Sequence, residues 1–153
     1  MKRLLLFFGA LLLAIAVPLC AAQTLPAKFD PHRDAAADVA TAVAQARAQG
    51  KRVLVDVGGE WCPWCHLFDH FMEGNDEARR LRDTHYVWVK VNWSPGNKNE
   101  QLLSRWPKVS GYPHLFVLDG HGQLVHSQNT AELEEGKGYN AAKVVAFLRR
   151  YAE

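Results

Sequence analysis

Two cysteines separated by two residues define the chemistry that this sequence can perform. Cys62 and Cys65 enclose Pro63 and Trp64. A disulfide that closes so short a loop removes little entropy from the unfolded chain, so it would be a weak structural staple. The chain of 153 residues is long enough to bury a core without such help. We therefore interpret the pair as a redox couple that alternates between dithiol and disulfide.

Two metal-binding interpretations of the same cysteines are alternatives. Cys62, Cys65 and His66 form the C-x-x-C-H pattern of covalent haem attachment. A c-type haem also needs a second axial ligand, and the only methionine beyond the first residue is Met72, which we expect on the same helix as His66. The other alternative is a zinc site formed by the two cysteines, His66 and His70. A single C-x-x-C without a second ligand pair at zinc-finger spacing gives it less support.

Turn residues and hydrophobic periodicity divide the chain into helices and strands. Helices are predicted at residues 34–49, 62–72, 75–82 and 99–106, and from Asn140 towards the C-terminus. Strands are predicted at residues 53–57, 86–91, 114–118 and 123–127, with a hairpin turn at 119–122 and a surface loop at 129–139. This order predicts an α/β fold in which a mixed central β-sheet is flanked by helices on both faces.

Three segments resemble landmarks of the thioredoxin-like superfamily, in the family's order. Residues 53–62 resemble the strand that leads into its active site, residues 90–92 (Lys-Val-Asn) the next strand, and residues 111–113 (Gly-Tyr-Pro) the loop of its cis-proline. The resemblance is better to thioredoxin-like domains of exported redox proteins than to cytosolic thioredoxin. It implies a thioredoxin fold for a domain at 34–153. The sequence departs from thioredoxin at residues 63–64 and 94–99, and residues 28–30 are the best candidate for the family's first strand.

The resemblance and the chemistry of helix ends together assign roles around the cysteines. Cys62 is expected at a helix N-terminus, where backbone N–H groups and the helix dipole favour its thiolate, so it is the predicted nucleophile. Cys65 is then the thiol that attacks the mixed disulfide and releases the partner. By resemblance, Asp56 is the buried carboxylate beneath Cys65, which can accept the proton of that thiol. Lys90 would be its ion partner.

The resemblance also implies a surface that receives clients. Pro113 is expected to follow a cis bond that faces the cysteines and presents backbone to an extended client segment. Trp61, Trp64 and Tyr112 are predicted to form an apolar rim around Cys62. His66, when protonated, is expected to support the thiolate.

The N-terminal segment has the composition of a secretory signal peptide. Lys2 and Arg3 precede an apolar run that ends in small residues, which predicts a signal at residues 1–22 and an extension at residues 23–33. The apolar run is shorter than the roughly 20 residues that span a bilayer. Cys20 is interpreted as part of the signal; a lipid-bearing mature N-terminus is the alternative.

Export and charge limit the partners of the mature chain. Cleavage after Ala22 would remove two of the 18 basic residues and none of the 16 acidic ones, which leaves a neutral chain. A neutral chain lacks the basic surface that binds nucleic acid or anionic membranes. We expect a periplasmic or secreted monomer in a compartment that permits disulfides.

These observations predict an exported thiol-disulfide oxidoreductase that acts on protein clients. Its expected partners are proteins with thiols or disulfides and a membrane-embedded or soluble redox protein. Its disulfide takes the place of a cofactor, and no metal is predicted. A c-type haem electron carrier and a non-catalytic thioredoxin-fold binding module are the alternatives. The direction of electron flow is left open, because about 30 mV corresponds to only about 1.4 kcal/mol.

Overall fold

A computed structural model describes residues 24–153 of the chain. The predicted signal peptide, its cleavage site and Cys20 lie outside these residues. Among the described residues, no helix is both long enough and apolar enough to cross a membrane.

Five α-helices form within residues 24–153. They are Ala35–Gln49 (α1), Pro63–Gly74 (α2), Asp76–His85 (α3), Glu100–Leu103 (α4) and Ala141–Arg150 (α5). Asp34, Asn75 and Asn140 precede α1, α3 and α5, and the side chain of each accepts a hydrogen bond from the backbone N–H three residues later. α1 ends at Gly50, whose φ of 64° is the left-handed conformation that glycine adopts readily. These caps confirm the predicted starts of the three helices.

The central sheet contains four strands. They are Arg52–Gly58 (β1), Tyr86–Asn92 (β2), His114–Leu118 (β3) and Leu124–Asn129 (β4), arranged in the order β2-β1-β3-β4. β2 is parallel to β1 because the chain crosses back through α2 and α3 between them. β3 is antiparallel to β1, and β4 is antiparallel to β3. The sheet is therefore mixed, as predicted.

Side chains of β1 alternate between two hydrophobic cores on opposite faces of the sheet. Val53, Val55 and Val57 pack in the core that contains α1, whereas Leu54 packs with Phe68 in the core beneath α2. α4 contributes to the first core, and α3 and α5 contribute to the second. Helices thus cover both faces, which confirms the predicted thioredoxin fold.

The prediction of a strand at residues 28–30 is wrong. The backbone N–H of Phe29 donates to Oε1 of Glu60 at 3.0 Å instead of pairing with a strand. The Phe29 ring is only 1 % exposed and packs against the cysteine pair. Part of the segment before α1 therefore belongs to the packed domain.

Two other predicted elements differ from the structure. α4 is shorter than the helix predicted at 99–106, because Asn99 has a left-handed φ of 48° and Pro107 disfavours a helical residue before it. The predicted loop at 129–139 contains a 3₁₀ helix, Thr130–Leu133, and a two-stranded hairpin of Glu134–Glu135 (β5) and Gly138–Tyr139 (β6). Leu133 anchors this segment in the core beneath α2.

Candidate active site

The cysteine pair lies at the beginning of α2 and forms a disulfide. The Cα atoms of Cys62 and Cys65 are 5.3 Å apart. Cys62 is the N-cap residue, and its Sγ accepts a hydrogen bond of 3.1 Å from the backbone N–H of Cys65. Pro63 occupies the first turn, where its missing N–H would have no intrahelical partner. After reduction, the same N–H and the helix dipole are placed to stabilise a Cys62 thiolate.

The two sulfur-bearing residues differ slightly in exposure. Cys62 is 3 % exposed, whereas Cys65 is completely buried. Phe29, Trp64 and Tyr112 pack around the pair. An incoming thiol or disulfide therefore reaches the pair from the side of Cys62.

Gly58 lies directly beneath the disulfide, at the end of β1. A Cβ atom at this position would lie 2.5 Å from Sγ of Cys65 and 3.0 Å from Cζ of Phe29. Both separations are shorter than van der Waals contact, so the close approach of β1 to the disulfide requires glycine.

We expect Gly58→Ala to lower the free energy of unfolding of the oxidised protein by about 1–3 kcal/mol, the usual cost of overpacking a filled core. Urea unfolding of the oxidised protein measures this change. Gly74→Ala is the matched control, because a Cβ there would have no neighbour within 4 Å, and alanine is favoured over glycine in a helix. An unchanged unfolding midpoint for Gly58→Ala would contradict the packing of Cys65 against β1.

Asp56 and Lys90, which are buried, form an ionic cluster with the half-buried Asp69 of α2. Strand register places Asp56 opposite Lys90 on neighbouring parallel strands. Nζ of Lys90 lies 3.1 Å from Oδ2 of Asp56 and 2.5 Å from Oδ1 of Asp69. The Asp56–Lys90 pair was expected from the resemblance, whereas Asp69 is an additional member supplied by α2.

The surroundings of Asp56 make it a candidate proton acceptor. Burial raises the pKa of Asp56 to about 6, with Lys90 opposing the rise and the negative charge of Asp69 adding to it. Its Oδ1 is buried and has no hydrogen-bond partner within residues 24–153. Asp56 and Gly58 share one face of β1, and Gly58 touches Cys65, so the carboxyl lies one pleat below the inner cysteine.

Lys90 keeps its positive charge between the two carboxylates. Burial opposes that charge, but Asp56 and Asp69 outweigh the burial and raise the pKa of Lys90. Its Nζ also lies 4.3 Å from the ring centre of Phe29 and 4.4 Å from that of Trp88.

The loop before β3 approaches the cysteines through Tyr112. The Tyr112–Pro113 peptide bond is cis, as the resemblance implies. Pro113 is buried, and its carbonyl accepts a 2.5 Å hydrogen bond from Oγ1 of Thr130. The Tyr112 ring packs against the cluster of Phe29 and the two cysteines.

The aromatic residues around the disulfide form two groups. Trp61, Trp93 and Tyr112, which we call the aromatic rim, contact one another, and Trp61 is 51 % exposed. Trp64 was predicted to form a rim around Cys62 with Trp61 and Tyr112; it packs against the cysteine pair, and its ring also contacts that of Tyr139, with ring centres 5.8 Å apart. The rim is held in place by a hydrogen bond of 2.8 Å from Nε1 of Trp61 to the carbonyl of Trp93.

The sequence model of the thioredoxin-like family matches residues 34–120. This chain belongs to the thioredoxin-like family. Among curated proteins, it is similar to the thiol:disulfide interchange protein DsbD of Pseudomonas fluorescens, with 29 % identity over 119 residues, 76 % of this chain and 18 % of that protein. It is also 29 % identical to DsbD of Escherichia coli K12 over 77 residues, 50 % of this chain and 13 % of that protein. The chain thus spans less than a fifth of these relatives.

Solved structures agree with the thioredoxin-like assignment. A disulphide isomerase from Xylella fastidiosa superposes with a TM-score of 0.71 and 24 % identity, over 85 % of this chain and 98 % of that one. The oxidised C-terminal domain of DsbD from Neisseria meningitidis gives a TM-score of 0.58 and 18 % identity, over 82 % of this chain and 99 % of that one. At these identities the similarity shows the shared fold.

The structure places the residues of the haem alternative in different environments. His66 is half-buried near the start of α2, and its Nε2 lies 2.8 Å from the carbonyl oxygen of Glu60. Met72 lies on the same helix but is completely buried in the core with Phe68. Its sulfur is therefore enclosed by the core of this thioredoxin-like domain and does not face the surface at His66.

Sequence analysis missed four residues of this thioredoxin-like site. Asp69 follows Cys65 by four residues on a predicted helix, and that spacing places both on one face, so the signal was present. Trp93 directly follows the landmark at 90–92, which also placed it near the site. Phe29 and Glu60 gave no signal, because their contacts join segments 31 residues apart through one hydrogen bond.

His114, the first residue of β3, is a buried histidine beside the cis bond. Its Nε2 lies 2.8 Å from Oγ of Ser127, whereas its buried Nδ1 has no hydrogen-bond partner in the described part of the chain. Burial lowers the pKa of His114 from 6.5 to about 4. The unfolded chain therefore binds more protons than the folded chain between these pH values, and stability is lost as the pH falls through this window.

We expect the free energy of unfolding of the wild type to fall, relative to that of His114→Gln, by up to about 3 kcal/mol between pH 7 and pH 4. Denaturant unfolding of both proteins across this pH range measures the difference between their free energies of unfolding. The contributions of all other titrating groups are the same in both proteins and cancel in this difference. Asp56→Asn is the control of opposite sign. The pKa of Asp56 is raised in the folded protein, so protonation of this carboxyl raises the free energy of unfolding of the wild type, relative to Asp56→Asn, as the pH falls below about 6. A difference independent of pH for His114→Gln would show that His114 is accessible to protons in the folded protein.

Proposed function

We propose that this protein is a thiol-disulfide oxidoreductase of the cell envelope that exchanges disulfides with protein clients through Cys62 and Cys65. The observation that carries the proposal is the disulfide at the beginning of α2, whose outer sulfur receives a backbone hydrogen bond and whose inner cysteine lies above a buried carboxyl. A structural staple needs neither feature. The curated relatives named thiol:disulfide interchange proteins support the same activity.

The exchange proceeds in two steps when the protein acts as a reductant. The thiolate of Cys62 attacks one sulfur of a client disulfide; a mixed disulfide forms, and the other client sulfur leaves as a thiolate. Cys65 then attacks the Cys62 sulfur while its proton passes to Asp56, and the client leaves with its second thiol. Two electrons pass from the protein dithiol to the client disulfide. Oxidation of a client dithiol is the reverse sequence.

The proposed chemistry requires only the protein's own disulfide as a redox group. We place the reaction in the periplasm or outside the cell, on the strength of the signal-like composition of residues 1–22. A membrane-embedded or soluble redox protein would regenerate the pair, and the DsbD relatives provide the precedent for an interchange partner. We propose that the chain acts as a monomer.

The test is the equilibrium reduction potential of the mature protein against glutathione, followed by tryptophan fluorescence. Trp64 packs against the cysteine pair and should report its oxidation state. A value near −270 mV would indicate a reductase supplied by another reducing protein, and a value near −120 mV would indicate an oxidant. Cys62→Ser is the control, because it retains every tryptophan and lacks the couple. A wild-type signal without a reversible two-electron transition would reject the proposal in favour of a binding module.

A further inference from the structure

The segment before α1, residues 24–33, lies against the active site, and we call it the N-terminal strap. Side chains of the domain hold its backbone at two points. Oε1 of Glu60 accepts a hydrogen bond of 3.0 Å from the backbone N–H of Phe29, and Nδ2 of Asn97 donates one of 2.7 Å to the carbonyl of Pro31. No residue of the strap belongs to a strand. Its position therefore depends on these side chains and on the packing of Phe29.

The Phe29 ring contacts both the inner cysteine and Lys90. The ring is 1 % exposed and packs with the two cysteines. Its centre lies 4.3 Å from Nζ of Lys90. A Cβ atom placed on Gly58 would lie only 3.0 Å from Cζ of this ring, so the ring also lies against β1 where that strand meets the disulfide. The ring therefore stands between Cys65 and any solvent that reaches Lys90.

A cavity of about 340 Å³ brings solvent close to this ring. Its walls include Leu25 and Pro26 of the N-terminal strap and Lys90 of β2. Phe29 is the neighbour of Lys90 on the side of the cysteine pair. Removal of the Phe29 ring should therefore extend the cavity towards the disulfide and admit water there.

The N-terminal strap adds no charge to those that act on Asp56. The strap residues on either side of Phe29, Lys28 and Asp30, are both exposed. The charged or titratable groups that face Asp56 come from other elements: Lys90 of β2, Asp69 of α2 and Tyr139 of β6, together with the proton donor Cys65. Phe29 can therefore act on Asp56 only through water. Water beside a carboxylate stabilises its charge and makes it a weaker base.

We propose that Phe29 is a positioning residue for the second step of the exchange: its ring keeps water away from Cys65 while Asp56 takes the proton of that thiol. In this step the sulfur of Cys65 bonds to that of Cys62, and the bond from Cys62 to the client breaks with its electron pair on the client sulfur. The proton of Cys65 passes to Asp56. This inference rests on the proposed function, because only the exchange gives Asp56 a proton to accept.

The first test measures the exclusion of solvent from Cys65, in a protein that cannot exchange disulfides. Cys62→Ser leaves Cys65 as the only cysteine of the predicted mature chain, and iodoacetamide at a fixed pH alkylates it. Adding Phe29→Ala should raise the alkylation rate at least about tenfold, because the reagent and water then reach the sulfur. Phe29→Leu should raise the rate far less, since leucine still fills most of the space. Mass spectrometry measures the alkylated fraction over time.

The second test is the pH profile of the second step, with both cysteines present. When the reduced protein reacts with 5,5′-dithiobis(2-nitrobenzoate), attack by Cys62 releases one thiolate of the reagent, and attack by Cys65 on the mixed disulfide releases another. In the wild type, this second release should slow as the pH falls through about 6, where Asp56 gains a proton. In Phe29→Ala, the inflection should lie about one pH unit lower, because water stabilises the carboxylate. Phe29→Leu should keep the wild-type inflection.

Two further comparisons separate this role from a general loss of stability. Glu60→Ala removes the acceptor of the Phe29 N–H and should accelerate the alkylation. Glu60→Gln keeps an oxygen that can accept this hydrogen bond and should not accelerate it. Phe147→Ala makes the same truncation on α5, where the ring is 5 % exposed and packs in the core that contains Phe68. It should lower the free energy of unfolding as well, but leave the alkylation rate and the pH inflection unaltered.

The outcomes separate this inference from the proposed function. If Phe29→Ala is alkylated no faster than Phe147→Ala, the ring does not shield Cys65, and the inference is overturned while the exchange activity stands. Faster alkylation with an unmoved pH inflection would also overturn it, because water would then reach the sulfur without weakening Asp56 as a base. If Phe29→Ala does not fold, equal alkylation of Glu60→Ala and Glu60→Gln overturns the inference. A wild type without a second release of thiolate rejects the proposed function, and this inference with it, whatever the alkylation rates.

Discussion

Replacing Cys62 with serine should lower the rate of disulfide exchange at least about a thousandfold, because a hydroxyl group cannot form the mixed disulfide. Replacing Cys65 with serine should leave the first attack intact and stop the reaction at that intermediate. The reaction of the reduced proteins with 5,5′-dithiobis(2-nitrobenzoate) distinguishes the two. The wild type should release two thiolates of the reagent in successive phases, and Cys65→Ser should release only one. Cys62→Ser should release neither thiolate at a comparable rate.

This asymmetry follows from the beginning of α2. The Sγ of Cys62 caps the helix and faces the entrance, whereas Cys65 is enclosed by Phe29 and β1. A reagent therefore meets Cys62 first, and Cys65 reacts only with a sulfur that Cys62 already holds. Mass spectrometry of the trapped Cys65→Ser adduct locates the bond. A fast adduct at Cys65 in the Cys62→Ser protein would reverse the two roles.

The sequence predicted the parts of this site that depend on local order along the chain. The cysteines, the strand before them and the Gly-Tyr-Pro loop are contiguous motifs. A strand, the glycines that follow it and the cap of the next helix can each be recognised from neighbouring residues. The Asp56–Lys90 contact was implied because the family resemblance supplied the register of two parallel strands.

The parts that depend on packing between distant segments were not predicted. Phe29 was assigned to the family's first strand. A single apolar residue between polar neighbours gives no sign that its ring will pack against a disulfide. Trp64 packs against the cysteine pair, but its contact with Tyr139, 75 residues away, could not be predicted from neighbouring residues. The hairpin that brings Tyr139 there lies in a segment predicted as a loop, since two-residue strands have no periodicity.

Asp56→Asn should slow the second phase of the same reaction about a hundredfold near pH 7 and leave the first phase almost unchanged. The first attack uses a thiolate at the helix N-terminus and needs no proton acceptor. The second requires removal of the proton of the buried Cys65, and general bases contribute factors of about 10² to 10⁴. Asparagine is close in size to aspartate and cannot accept that proton. Stopped-flow absorbance resolves the two phases.

The pH dependence gives this prediction a specific form. The pKa of Asp56 is raised to about 6 by burial, so the carboxyl is ionised above that pH and protonated below it. A protonated carboxyl cannot accept a proton, and the wild-type second phase should slow as the pH falls through 6. In Asp56→Asn, this inflection should be absent, whereas the decline that follows titration of the thiols should persist.

Asp69→Asn is the matched control, because it removes the same charge from the other side of Lys90. Without Asp69, Lys90 interacts with Asp56 alone, and the repulsion that helps to raise the pKa of Asp56 disappears. The inflection of the second phase should then move below pH 6, with the rate at pH 7 reduced far less than in Asp56→Asn. Equal slowing by both substitutions would mean that the cluster acts through packing, and an unaltered second phase in Asp56→Asn would mean that Cys65 loses its proton directly to solvent.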